Sequence, residues 1–476
     1  MNQQSTDIGR GRRIGILLIC SLSLFLVGLD ITAVNVALPS IATELDASVA
    51  GLQWTVSGYT LAMASLLLFS GSMADRLGRR RTFVAGLTVF SAASLLCSLA
   101  PGVEALVAAR VLQGVGASML NPVAMSIVVN TFTDPRERAQ AVGVWGAVFG
   151  ISMALGPITG GALVTAAGWE WIFLVNVPIG LAAIALTLRF VPESRAPRPR
   201  RFDPVGQGLA IALLASLTYG IIEGPEAGWG SVRIVTAFAV ALVALAGLLA
   251  YEPRRAEPLI DLRFFRSVPF SAAIATSVAA FASFGGFLFL NTLYLQDVRG
   301  LSPVEAGVAT VPIALMIVLV SPLSGRVVGR RGPRVPLLVA GVSMTVASLL
   351  LTGIAPGTPL ATLLVAYVVF GLALGAVNAP VTNAAVSGMP RAQAGVAAAL
   401  ATTSRQFGQT LGVAVTGAIV ASSAGEGLPA ASHPAWWLLA GLGLLVVVLA
   451  LVASSGRSRE SARRTAAALN PDAVPA

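Results

Sequence analysis

The chain has 476 residues, 56% of them hydrophobic and only 11% charged, with a formal net charge of +10. Ordinary soluble domains carry roughly a quarter charged residues, so this composition cannot clothe a water-exposed surface. All thirty-one basic residues are arginine, which removes any phosphate loop ending in Gly-Lys and any Schiff-base lysine. Two cysteines and one histidine leave neither a disulfide framework nor a zinc site.

Apolar runs follow one another from Ile14 to Ser454, each about as long as a helix needs to cross a ~30 Å hydrocarbon layer. The expected spans are 14–38, 50–72, 82–100, 105–130, 139–166, 170–190, 205–222, 232–251, 268–296, 304–327, 334–354, 359–387, 393–421 and 434–455. The first run is too long for a cleaved signal peptide and continues into residues of functional type. Cys20 and Cys97 fall inside apolar runs and read as packing residues, while His433 reads as part of a short polar loop.

Placing the N-terminus in the cytoplasm puts twenty-seven arginines inside and only Arg233 and Arg299 outside; Arg110 and Arg405 fall within spans. This is the bias the positive-inside rule demands, and a missed or extra span would scramble it. The expected fold is all-α and integral to a bacterial-type inner membrane, with fourteen transmembrane helices and both termini cytoplasmic. The basic charge serves topology rather than nucleic acid, and the bilayer is the expected partner.

In span 1, Asp30 is the one acid deep in any span. An intramembrane carboxylate is costly and marks a functional site by default. It lies eight residues before Leu38, the outer end of the span, or about 12 Å along a helix. Arg110 lies five residues into span 4, or roughly 8 Å from the same side. The two charges are thus expected at comparable depth. Asp30 would carry a proton and Arg110 would expel it or stabilise the ionised form; a static pair holding helices together is the alternative.

Between spans 2 and 3 stands Gly71-Ser72-Met73-Ala74-Asp75-Arg76-Leu77-Gly78-Arg79-Arg80-Arg81, and between spans 10 and 11 stands Gly325-Arg326-Val327-Val328-Gly329-Arg330-Arg331-Gly332-Pro333-Arg334. The glycines are seven apart in both, and the copies are offset by 254 residues. This implies two related halves: a six-helix bundle over 14–190 after a tail at 1–13, and a second over 268–455. Between them, residues 191–267 hold loops and two inserted helices at 205–222 and 232–251. Repeated halves are how many secondary transporters build a midplane site and alternate its access. Residues 456–476 are expected to be a disordered tail. Asp75 either binds a helix N-terminus or an arginine of the opposite half as a gate, or the arginines only anchor the loop among lipid phosphates. Gly329 stands where the second copy would need its acid, so any such lock is asymmetric.

Span 5 carries Gly146, Gly150 and Ala154 at four-residue spacing, then Gly156-Pro157-Ile158-Thr159-Gly160-Gly161. Small residues let a neighbouring helix approach closely, and Pro157 removes a backbone hydrogen bond and invites a bend. Candidate substrate-cavity residues are Asn35, Trp54, Tyr59, Gln113, Phe284, Asn291, Asn378, Arg405 and Gln406. An apolar, aromatic cavity with scattered amides suits amphipathic ligands. No catalytic or metal-binding set is expected: lysine is absent, the histidine is alone, and no two acids share a cavity to act as acid and base.

These motifs carry a resemblance. Leu29-Asp30-Ile31-Thr32-Ala33-Val34-Asn35-Val36-Ala37-Leu38-Pro39, the loop after span 2, Arg110-Val111-Leu112-Gln113-Gly114-Val115-Gly116-Ala117, the span 5 glycines, and Trp169-Glu170-Trp171-Ile172-Phe173 through Asn176-Val177-Pro178-Ile179-Gly180 occur in order. Over residues 14–455 the chain resembles the major facilitator superfamily, and within it the fourteen-span drug:proton antiporters. The resemblance implies export of drugs, antibiotics or dyes, or of related metabolites, driven by the proton gradient without a cofactor. It also implies a cytoplasmic gate at Gly71, Asp75, Arg76, Gly78, Arg79 and Arg80, and an exporter motif at Gly150, Gly156, Pro157, Gly160 and Gly161. A monomer is expected. Proton-coupled uptake of a metabolite on the same fold is the alternative function.

Overall fold

The computed structural model describes residues 9–196, 202–255, 257–387, 389, 394–423 and 427–469, and among them it is helical without strands. Arg198, Arg200, Arg201 and Arg391 of the inner-side arginines lie outside the described residues, as do residues 1–8, 424–426 and 470–476. Twelve helices among the described residues are long and apolar enough to cross a membrane.

The helices start and stop where local chemistry directs. α1 (Arg10–Glu44) runs unbroken for 35 residues, about 52 Å. α2 (Val49–Leu77) is capped by Ser48, whose hydroxyl accepts from Gly51 N at 3.3 Å. Gly78, at φ +117°, turns the chain into α3 (Arg79–Ser98). Pro122 coincides with a break in the next span, giving α4 (Val103–Ser118) and α5 (Asn121–Thr131). Asp134 and Pro135 start α6 (Pro135–Ala167), the carboxylate accepting from Arg136 N and Glu137 N. α7 (Trp171–Leu174) and α8 (Asn176–Phe190) follow. Then come α9 (Pro204–Ala227) and α10 (Val232–Tyr251).

α11 (Val268–Leu293) ends in a π turn over Tyr294–Val298. A capping box between Ser302 and Glu305 opens α12 (Pro303–Ala309), which leads into α13 (Val311–Arg331). α14 (Arg334–Leu350), α15 (Leu360–Val386), α16 (Ala394–Ser422), α17 (Leu428–Ala453) and α18 (Gly456–Leu469) complete the chain. α14 and α16 are not among the twelve: α14 is 17 residues long, and α16 carries Arg405, Gln406 and Gln409.

Before α9 the main pairings are α1 with α6, α2 with α4, α3 with α4, and α3 with α8. After α10 they recur in the same order: α11 with α16, α13 with α15, α14 with α15, and α14 with α17. α9 and α10 pair with each other, and α9 packs on both α2 and α16. The apolar core continues from Leu29, Ala33 and Ala37 of α1 to Phe284, Phe287 and Leu288 of α11. Large apolar side chains such as Leu18, Leu242, Val243 and Leu319 face outward, as a lipid-facing surface requires.

Two expectations are corrected. The stretch after Ser455 is a helix to Leu469 rather than disordered, because α18 docks on α11: Ser461 Oγ accepts from Val268 N at 3.0 Å, and Ser458 and Thr465 are buried. His433 belongs to the first turns of α17, not a loop, with Nε2 3.4 Å from Ile354 O.

Candidate functional site

Asp30 and Arg110 meet. Asp30 Oδ2 accepts from Arg110 NH1 at 2.6 Å, and each residue is 1% exposed. A buried ion pair is retained only where its remaining donors and acceptors are satisfied, and here α2, α4 and α8 supply partners, with α3 bracing Gln113. Gln113, one turn after Arg110, donates through Nε2 to Asp30 Oδ1 at 2.8 Å and to Ser94 Oγ at 2.8 Å; its Oε1 accepts from Arg110 NH1 at 2.6 Å. Asn176, at the start of α8, donates to Asp30 Oδ1 at 3.2 Å. Arg110 Nε donates to the Thr55 carbonyl at 2.9 Å, and the guanidinium lies 4.3 Å from the Tyr59 ring centroid. Cys97 Sγ donates to Gln113 Oε1 at 3.8 Å, so this cysteine touches the cluster, while Cys20 is buried and free.

The cluster lies wholly among α1–α4 and α8, and α1 links it to the rest of the molecule. A Cβ on Gly156 of α6 would stand 1.8 Å from Thr32 Oγ1 and 3.1 Å from Leu29 O, and one on Gly160 would stand 2.9 Å from Ala33 Cα. On its other side α6 meets α12: a Cβ on Gly161 would lie 2.4 Å from Pro303 O. Small residues here therefore serve backbone-to-backbone contact. Gly150 is looser, 3.6 Å from Val318 Cγ2. The packing of Gly146 and Ala154 lies outside the described side chains.

Polar contacts between the halves lie away from the Arg-rich turns. Gln296 Nε2 donates to Val36 O at 2.8 Å. Gln53 Nε2 donates to Val413 O at 3.0 Å and Ala414 O at 2.7 Å, and Thr60 and Thr410 hydroxyls lie 2.7 Å apart. Between α1, α6, α11 and α13 a void of about 20 Å³ remains, bordered by Thr32, Met153, Pro157, Phe284 and Thr310. That volume holds about one water.

At the Arg-rich end, Asp75 accepts from Arg79 NH2 at 2.9 Å, within its own loop rather than across to α11–α17. The acid at the N-terminus of α3 is Glu193, which accepts from Arg80 N at 3.1 Å and Arg81 N at 3.3 Å. Backbone bonds from Arg79 N to Ser194 O and from Ala196 N to Asp75 O tie the loop to the segment after α8. Gly78 must be glycine: its φ is +117° and a Cβ would meet Glu193 Oε1 at 2.5 Å. Arg330 and Arg331 of the second copy are exposed.

The expected cavity residues are dispersed. Gln113 and Tyr59 serve the ion pair. Asn291 accepts from Tyr367 OH at 2.5 Å. Arg405 donates to Asn378 Oδ1 at 3.3 Å, Thr382 Oγ1 at 3.4 Å and Thr402 Oγ1 at 2.8 Å, while Gln406 Oε1 and Asn35 Oδ1 are buried without partners. Trp54 Nε1 donates to Glu223 Oε1 at 2.7 Å, beside an apolar groove of about 540 Å³ between α2, α4, α9 and α10. Phe284 borders the small void, and Phe287 stacks on Phe370 at 4.1 Å inside the core.

Sequence reasoning missed Ser94, the Thr55 carbonyl, Glu193 and Gln53. Asn176 stood in a quoted motif but without a role, and no spacing rule in one chain links it to Asp30.

Sequence comparison places this geometry in context. The profile described as Major Facilitator Superfamily matches residues 20–413. The chain is 40% identical over 422 residues to the tetracenomycin C resistance and export protein of Streptomyces glaucescens, covering 88% of this chain and 78% of that one. It is 38% identical over 406 residues to the multidrug resistance protein Stp of Mycobacterium tuberculosis (85% and 75%) and 36% identical over 414 residues to the methylenomycin A resistance protein of Bacillus subtilis (86% and 88%). Among solved structures it resembles a D-xylose-proton symporter (TM-score 0.65, 15% identity, 92% of this chain and 96% of that one). It also resembles a bacterial homolog of the human lysosomal transporter Spinster in an inward-facing, unoccupied conformation (TM-score 0.64, 19% identity, 98% and 100%). With most of its length matched by the profile and by relatives of this identity, the chain belongs to the Major Facilitator Superfamily.

Proposed function

We propose that the chain is a drug-efflux transporter that exports small amphipathic or apolar molecules in exchange for protons by alternating access. The carrying observation is the Asp30–Arg110–Gln113 cluster and its rigid connection to the seam. Protonating Asp30 cancels the attraction that holds Arg110. Gln113 and Asn176 can still hold the neutral carboxyl, while Arg110 keeps the Thr55 carbonyl and the Tyr59 ring. The change in charge is thus absorbed locally, and any resulting shift of α1 reaches α6 through Thr32 and Ala33, and α12 through Gly161. Closely packed helices respond as bodies, which favours a switch over a graded deformation.

In this reading α14 and α16 join the twelve apolar helices to make fourteen spans, with two six-helix units flanking α9 and α10. Both termini and the Arg-rich turns lie in the cytoplasm of a cell with its transporter in the inner membrane. The seals at Gln53, Gln296 and Gly161 then close the outer side, and substrate enters when the seam around Thr32, Phe284 and Arg405 widens. The unit is a monomer. The test is resistance in an efflux-deficient bacterial host: wild type is expected to protect against some toxic compounds and Asp30→Asn at matched expression is not. Equal protection by both places coupling elsewhere. Protection by neither removes drug export in favour of metabolite uptake.

A further inference from the structure

Outside the Asp30 cluster the described residues hold a meeting of two acids, formed where the α9–α10 hairpin brings its two Arg-rich-end termini together. Asp203 caps α9, its Oδ1 accepting from Gly206 N at 2.9 Å and from Tyr251 OH at 3.3 Å. Glu252 follows the last residue of α10, and its Oε2 accepts from Ile260 N at 3.4 Å. Asp203 is 4% exposed and Glu252 1% exposed. Their other oxygens, Asp203 Oδ2 and Glu252 Oε1, are buried with no hydrogen-bond partner. Both flank Gly206: a Cβ there would stand 2.9 Å from Asp203 Oδ2 and 2.5 Å from Glu252 Oε1.

Two ionised carboxylates cannot share such a site without a counter-charge, and neither residue is in an ion pair among the described residues. Arg255 faces this end, its guanidinium 5.4 Å from the Tyr251 ring centroid. On the following stretch Asp261 is already paired with Arg263. Among the described residues the hydrogen bonds to the two carboxylates come from neutral groups. A metal ion would need about six oxygens, far more than converge here; a proton needs two.

We propose that Asp203 and Glu252 share one proton, forming a second proton-binding site at the Arg-rich end of the inserted helices. The proton comes from bulk water, so the pair holds one negative charge instead of two. It ties α9, and through α9 the α2–α16 seam, to the proton concentration at that end. When the proton leaves, the two charges repel and the hairpin terminus loosens, so stability falls as pH rises through that step.

The experiment is infrared difference spectroscopy of the full chain in lipid nanodiscs across a pH titration, on wild type, Glu252→Gln, Asp203→Asn and Asp30→Asn. A protonated-carboxyl band that persists at neutral pH, vanishes in one step on alkalinisation, is missing in Glu252→Gln and Asp203→Asn and survives in Asp30→Asn is the expected result. Its survival in Asp30→Asn separates this site from the proposed transport carboxylate. Thermal melting of Glu252→Gln should match wild type at neutral pH, since the amide is uncharged like a protonated carboxyl, and should lack the wild-type alkaline decline. Overturning results are a wild type without such a band at neutral pH, a band unchanged in Glu252→Gln, or wild-type melting that rises with added sodium or magnesium at fixed pH. If both variants fail to fold, the wild-type titration alone decides, by showing or lacking the alkaline step.

Discussion

Gly307 of α12 lies so close to Pro157 of α6 that a Cβ in place of one hydrogen would stand 2.1 Å from the Pro157 carbonyl oxygen. At this point α6 and α12 meet at backbone distance. That contact, together with Gly161 on Pro303, makes the span 5 glycines a mechanical coupling as well as a packing motif.

Gly161→Ala should therefore jam or splay the α6–α12 contact. Overpacking of this kind costs about 1–3 kcal/mol, enough to lower transport about tenfold. Gly150→Ala, whose new methyl would meet Val318 at an ordinary 3.6 Å, should leave resistance within about twofold of wild type because the methyl requires no rearrangement. Resistance titres at matched membrane expression check both.

Asp30→Asn should lose proton-driven export and also stability, because removing one partner of a buried ion pair costs about 3–5 kcal/mol. Asp30→Asn with Arg110→Gln removes both charges and should melt above the single variant without recovering transport. Melting in detergent and pH-jump flux in proteoliposomes separate the two effects. Full transport by the single variant would refute the coupling role.

Gln113→Ala removes no charge, yet it strips partners from Asp30, Arg110 and Ser94 at once. Each buried group left unsatisfied costs about 1–3 kcal/mol, so melting should drop clearly and export should fall with it. Gln113→Glu keeps the acceptor for Arg110 but sets a second acid beside Asp30, and should be worse for transport than for folding. The comparison is made by melting against resistance.

Glu193→Ala uncaps α3. Loss of a capping interaction costs about 0.5–2 kcal/mol, and the Arg-rich turn should become more open to protease from that side. Limited proteolysis of inverted vesicles reads this directly, and Asp75→Asn, which loses only the Arg79 pair, should show a smaller change.

Twelve apolar helices long enough to cross a membrane were legible in the sequence, because a bilayer imposes one length and one polarity on every crossing segment. The meeting of Asp30 and Arg110 was legible as equal depth on two helices. Arg405 was legible as a cation within a span, but its amide and hydroxyl partners on α15 and α16 were not. The tail helix was missed because its stability comes from docking on α11 rather than from its own composition, and the helical position of His433 was missed because the expected span opened at 434, whereas α17 begins at Leu428.

Residues that act through their own helix, such as Asp30 by depth or Gly156 by spacing, were determined by the sequence itself, since solvent and helical period act on each segment alone. Gln113 as ligand of the ion pair rather than of substrate, Asn176 as its neighbour, Glu193 as the cap of α3, and the convergence of Asp203 on Glu252 were decided only by tertiary structure. Each depends on which helices stand side by side, and a hydrogen bond is decided over tenths of an ångström that no periodicity in one chain can specify.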